Sequence, residues 1–384
     1  MKYPVLLAGS ALSASAAFVH PGMLHTAEDF ERITTNVNAA NEPWLTGWYK
    51  LTNNSHAQSD YTAAPVELLC RGSPASCDEN YSRAFNDAAA AYQLAIRWKV
   101  TGDEAYGTAA TNVLNAWSST VKEISGNSDK YLASGLYGYQ FANAAEILRE
   151  FDGFTDDDLA AATAMLTDVF YPMNHRFLIE HNDAADDHYW ANWDLCNMAT
   201  MLSAGILSEN QTMYDEAINY FYNGTGNGAI EKLFWVVYDD GTAQVQEAGR
   251  DQGHTMLDIG LVGAFAQMAK NQGNNLFQYD DYRIFKGAEY AAKYNLGNDV
   301  QYTTYVNSDV TQDVISESGR GNIRPIWGLI ENAAKIEGQE VTYSAQYAEL
   351  VRNNSGGAEG GGGDYGSTSG GFDQLGFGTL LFTV

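Results

Sequence analysis

The chain has 384 residues, 45% hydrophobic and 18% charged, enough to bury a sizeable core and to exclude disorder for its bulk. Asp and Glu number 48 against 21 Lys and Arg, a formal charge of −27. That surplus argues against nucleic acid and anionic membranes as partners, since both are bound through clustered cations.

Met1-Lys2-Tyr3, the apolar run from Pro4 and the small residues Ser13-Ala14-Ser15-Ala16-Ala17 describe a secretory signal peptide over 1–17. The mature chain, 18–384, is expected to be extracellular, to fold as a single domain and to be monomeric. N-x-[ST] sequons at Asn53, Asn210, Asn223 and Asn353 fit that route as glycosylation sites. Cys70 and Cys77 are spaced to close a small disulfide ring in an oxidising compartment. Cys196, among apolar neighbours, reads as a buried inert thiol.

Helical patterning then runs almost without break. Thr26 caps Ala27–Asn38, and Phe85–Val100, Asp103–Val121 and Ser134–Phe151 follow. Thr155 and three aspartates open Leu159–Ile179, followed by His188–Leu207, Tyr214–Tyr222, Asp251–Lys270, Tyr282–Tyr294 and Ile323–Ile336. Phe234–Tyr238 and Ala243–Gln246, split by Asp239-Asp240-Gly241, predict one hairpin. About ten helices with short connectors and no fixed repeat period point to an all-α fold, an incomplete α/α toroid. Ser355–Gly378 is dense in glycine. A flexible tail is the bland reading, but Tyr365, Phe372, Leu375 and Phe377 favour a loop packed back on the body.

Two polar clusters carry chemistry. Gln244–Thr255 holds Glu247, Arg250, Asp251, Gln252 and His254 at a helix start, where free N–H groups favour an anion. Asp186–Asp194 sets Asn192 between Trp190 and Trp193. Tyr137, Tyr139 and Gln140 form a third patch, more often core than catalytic. Arg320 and Arg324 are candidates for an anion clamp in a chain poor in cations. His175, His181 and His188 with Asp183, Asp186 and Asp187 match no compact ligand spacing, so neither metal nor cofactor is expected.

Phe18–Thr26, Tyr139–Glu146, Asn192–Leu195, Gly249–Thr255 and Arg324–Trp327 resemble the alginate lyase superfamily, and within it polysaccharide lyase family 38. The resemblance implies an α/α toroid and eliminative cleavage of a 1,4-linked polyuronate, glucuronan or mannuronate-type alginate. The Asn-Asn-His motif of other alginate lyases is missing, so roles are assigned from what elimination needs. Asn192, with Arg250 or Gln140, neutralises the uronate carboxylate, and His254 takes the C5 proton. Tyr305, or second Tyr139, protonates the leaving oxygen or serves as both base and acid. Tyr139, Gln140, Trp193, Glu247, Gln252, Arg320 and Arg324 are expected to bind substrate. The competing readings are an inverting hydrolase pairing Asp239 or Asp240 with Glu247 or Asp251, and a uronate binder without turnover.

Overall fold

The computed structural model describes residues 17–73 and 77–384. The expected signal peptide lies outside the described residues except for Ala17. Helices α1 (Ala27–Asn38) and α2 (Trp44–Thr52) lead into α3 (Ser82–Thr101) and α4 (Glu104–Thr120). Next come α5 (Lys130–Leu148), α6 (Asp156–Met165), α7 (Tyr171–Glu180), α8 (Ala191–Leu207), α9 (Gln211–Asn223) and the one-turn α10 (Ile230–Leu233). The last are α11 (Gln252–Asn271), α12 (Tyr279–Asn295), α13 (Trp327–Ile336), α14 (Thr342–Asn354) and α15 (Gly378–Leu381). Three two-stranded sheets pair β1 (Leu68–Arg71) with β2 (Glu123–Gly126), β3 (Phe234–Val237) with β4 (Ala243–Val245), and β5 (Tyr305–Val306) with β6 (Thr311–Gln312).

Helices α5 and α8 are buried along nearly their whole length and α11 over most of it, as inner helices of a ring must be. Contacts advance together along neighbours, which makes these helices parallel. Gly135 and Gly138 of α5 meet Cys196 and Thr200 of α8, and Gly260 and Gly263 of α11 meet Ile326 and Ile330 at α13. A methyl on Gly135 would lie 2.4 Å from the Cys196 sulfur, so only glycine permits that approach. The parallel β1–β2 pair delivers α3 and α5 to the same end of the ring. The N-termini of α3, α5, α8, α11 and α13 therefore gather at one rim, with α4, α6 with α7, α9, α12 and α14 returning outside. This is the α/α toroid expected from the sequence.

Several boundaries differ for local reasons. The expected Leu159–Ile179 is two helices joined by a π turn, Leu166–Phe170, in which Tyr171 N–H donates to Leu166 O. Pro172 follows and has no N–H to continue the regular ladder. The helix expected from Ile323 starts at Trp327, because Pro325 holds the residue before it out of helical geometry. Helix α2 is only nine residues long, neither α2 nor α14 has a side-chain cap to mark its start, and both escape the sequence reading.

The glycine-rich segment is folded, not a tail. It threads the middle of the ring: Asn54 and Gln93 donate to Gly362 O, Gln140 to Phe372 O, and Tyr139 to Asp373 O. Phe372 stacks on Phe85 at 4.5 Å, while Glu359 accepts from Gly328 N and Gly378 N. A side chain at Gly361, Gly363, Gly371, Gly376 or Gly378 would strike backbone or ring atoms; at Gly361 a methyl would lie 2.2 Å from the Phe377 ring.

Candidate active site at the inner-helix rim

Helix α8 has no capping side chain of its own. Its first N–H groups are instead satisfied by the turn after β4: Ala191 N donates to Gln246 and Asn192 N to Glu247. The two polar clusters are thereby brought together. Glu247 is fully buried, and its Oε1 also accepts from the Asn192 side-chain amide at 2.6 Å. Its other oxygen accepts from Arg250 at 2.6 Å, and the Arg250 guanidinium lies 5.0 Å over the Trp190 ring. Arg250 in turn sits 3.8 Å from Asp251.

Asp251 caps α11, accepting from His254 N, and its second oxygen accepts from His254 Nδ1 at 2.6 Å. Burial alone raises the Asp251 carboxyl. The His254 ring and backbone donors outweigh it, with Arg250 adding to them, and bring it down to about 2. The carboxylate therefore stays ionised and accepts from Nδ1–H, which leaves Nε2 as the ring nitrogen turned away from it. The His254 side chain is 36% exposed, which leaves it open to a substrate.

Tyr305 lies against Gln246 and donates to Asn227 Oδ1 at 3.2 Å. Burial raises its phenol, so it is an O–H donor at neutral pH. Asn192, Arg250, His254 and Tyr305 thus surround the turn that holds Glu247. The inner-helix N-termini add partial positive charge here, which offsets part of the surrounding acidic field for an anionic ligand.

At the remaining expected contacts the protein itself occupies the polar groups. Tyr139 and Gln140 are buried and hold the central glycine-rich segment. Arg324 also binds that segment, through Gly370 O and Asp373. Arg320 stacks 3.8 Å over Tyr294 and donates to Tyr294 O and Asn298 O, tying down the end of α12. Gln252 is fully buried between Ala248 O, Ser316 O and Asn295. Trp193 packs on Tyr189 and Phe177, and Glu247 serves Asn192 and Arg250. The two arginines thus lie on different partners, Arg320 on the end of α12 and Arg324 on the glycine-rich segment.

The hydrolase pair finds no support in the hairpin: Asp240 is spent on Thr242 and Lys293 at its tip. The three histidines of the metal reading go to separate partners, His175 to Glu216, His181 to Tyr220 and His188 to Asp309. Cys70 and Cys77 form a disulfide, and Cys196 is buried with its thiol pushed up by burial. Asn53, Asn223 and Asn353 are exposed, while Asn210 caps α9.

Sequence reasoning missed Arg71 and Asp258. Arg71 sits at the rim, stacked 4.9 Å from the Tyr81 ring and donating to the Tyr137 hydroxyl. Its only sequence signal was a cation beside the disulfide. Asp258 announced itself as a lone acid inside an apolar helix.

A family model described as alginate lyase matches residues 48–301. An alginate lyase from Bacteroides ovatus superposes with a TM-score of 0.59 over 86% of this chain and 96% of its own, at 14% identity. Alginate lyase A1-III from Sphingomonas species A1 gives 0.57 over 98% and 100%, at 13% identity. A variant of that lyase complexed with a tetrasaccharide gives 0.54 over 87% and 93%, at 14% identity. No curated protein matches the chain. At these identities the structural likeness is one of fold.

Proposed function

Because this chain belongs to the alginate lyase family, and is therefore a polysaccharide lyase, we propose that it cleaves a 1,4-linked polyuronate by β-elimination at the rim around Asn192 and His254. The observation that carries this reading is the continuous set of contacts from Asn192 through Glu247, Arg250 and Asp251 to His254. It sets two carboxylate-binding groups beside an oriented, accessible imidazole.

The chemistry follows from the charges. A proton at C5 is weakly acidic while the neighbouring carboxylate keeps its full charge. Asn192 Nδ2 and the Arg250 guanidinium donate to that carboxylate, which stabilises the enolate-like charge developing on it. His254 Nε2 removes the C5 proton, the C4–O bond breaks, and a C4=C5 double bond forms. Tyr305 gives its proton to the departing oxygen, and water restores it afterwards. The same sequence applies to glucuronate and mannuronate, which share configuration at C4 and C5 and differ at C2, so we propose both as substrates.

We extend the proposal to a secreted, glycosylated enzyme, from the leader-like first residues and the sequons at Asn53, Asn210, Asn223 and Asn353. The test is a panel of glucuronan, polymannuronate, polyguluronate and pectate, followed by ultraviolet absorbance and product sizing. Absorbing unsaturated products from the first two polymers are expected. Chain shortening without absorbance, or no shortening at all, overturns the reading.

A further inference from the structure

Asp258 lies one helical turn beyond His254 on α11, wholly buried beneath the rim. Among the described residues, neither of its carboxyl oxygens has a donor to accept from. The charged groups facing it are Glu247, Arg250 and Asp251, and Glu247 is within hydrogen-bond reach. Glu247 is amply supplied, accepting from the Asn192 backbone, the Asn192 amide and Arg250. Two buried carboxyls in contact cannot both ionise, and the one without donors keeps the proton. That proton is also the missing hydrogen bond, since a carboxylic acid donates where a carboxylate only accepts.

We propose that Asp258 is a positioning residue for the elimination: its carboxyl O–H donates to Glu247 and so locks the carboxylate that aims Asn192 and Arg250 at the substrate. The inference rests on the reading that those two residues bind the uronate carboxylate. Two consequences follow. Glu247 cannot rotate away from Asn192 without abandoning this donor as well as its other three. The pocket also carries one negative charge fewer than its residue count suggests, which matters where the ligand is a polyanion.

The test compares Asp258→Asn, which keeps a donor toward Glu247, with Asp258→Leu, which fills the same space without one. Asp258→Asn should retain kcat within about threefold, and Asp258→Leu should lose about 10- to 100-fold with little change in KM, as a misaimed catalytic group does. The wild-type rate should fall at alkaline pH as Asp258 ionises, and that limb should weaken in Asp258→Asn. Equal rates in wild type and Asp258→Leu, or equal losses in both variants, overturn the proposal. Asn192→Ala and Arg250→Ala run alongside separate the two levels. If both keep full rate, the carboxylate-binding reading fails; if both are slow while Asp258→Leu is not, only the positioning role fails. Should neither Asp258 variant fold, infrared spectroscopy of the wild type decides. A protonated-carboxyl band at about pH 9, above the titration of Glu359 and absent from any folded Asp258 variant, is expected, and its absence in the wild type refutes the inference.

Discussion

Asp251→Asn separates catalysis from folding at one atom. Asn caps a helix as well as Asp, so the hydrogen bond to His254 N at the start of α11 survives the change. The loss of the charge near Arg250 and the helix N-terminus costs under about 1 kcal/mol, because Asp251 is only half-buried and solvent screens it. Catalysis suffers far more. The 2.6 Å bond to His254 Nδ1 now runs to an amide, whose NH2 turns the imidazole into an acceptor at Nδ1. The ring proton then moves to Nε2, where the base lone pair is needed. The opposite amide rotamer would set NH2 against His254 N–H and lose the cap, so the oxygen stays on the backbone and the ring faces the NH2. Turnover should therefore fall by about 10²- to 10⁴-fold, the range for losing an oriented base. Initial rates of absorbance at saturating polymer measure it, and a thermal melt checks the fold. A folded Asp251→Asn enzyme within threefold of wild type refutes the dyad.

His254→Ala should lower kcat by about 10²-fold or more in a protein that melts normally, as steady-state absorbance and calorimetry would show. Asn192→Ala should lose kcat more than KM in the same assay; a pure rise in KM reassigns it to substrate positioning. Tyr305→Phe should lose about 10²-fold in kcat, whereas Tyr139→Phe should cost about 1 kcal/mol of stability and little rate, having served only Asp373 O. His25 opposes the buried acids Glu359 and Asp258 in the pH profile of stability, which therefore falls as pH rises between 4.5 and 6.5. Burial brings His25 from 6.5 down to about 4, so the stability it contributes is present above pH 6.5 and lost as pH falls. Burial lifts Glu359 from 4.5 to about 7 despite its backbone donors, so its contribution is present below pH 4.5 and lost as pH rises. Each amounts to about 3 kcal/mol, and between pH 4.5 and 6.5 the slopes oppose. Denaturant melts of His25→Phe across that window should show a steeper fall, because the rising His25 slope is gone; an unchanged profile contradicts the assignment.

The helical ring was legible because Ala-rich, periodically apolar segments with Thr and Asp caps have few compact arrangements. The meeting of the two polar clusters was legible only as chemistry. That Gln246 and Glu247 cap α8, and so bind Asn192, depends on a contact across 55 residues that no local pattern encodes. The partners of Tyr139, Gln140 and Arg324 were hidden for a related reason. Polar groups on an inner helix await either a ligand or another stretch of chain, and here the glycine-rich segment takes them. Aromatics among those glycines signalled a folded loop, but its path through the ring depends on close backbone approaches that residue types do not specify. Asp258 was passed over because a single acid in an apolar helix looks like noise until its neighbour is known to be Glu247.

The most direct measurement is a structure of the His254→Ala variant holding a uronate tetramer. A carboxylate bonded to Asn192 and Arg250, with its C5 hydrogen turned toward the space left by the imidazole and its C4 oxygen toward Tyr305, is the predicted result. A tetramer whose carboxylates avoid Asn192 and Arg250, or whose C5 points away from position 254, contradicts it.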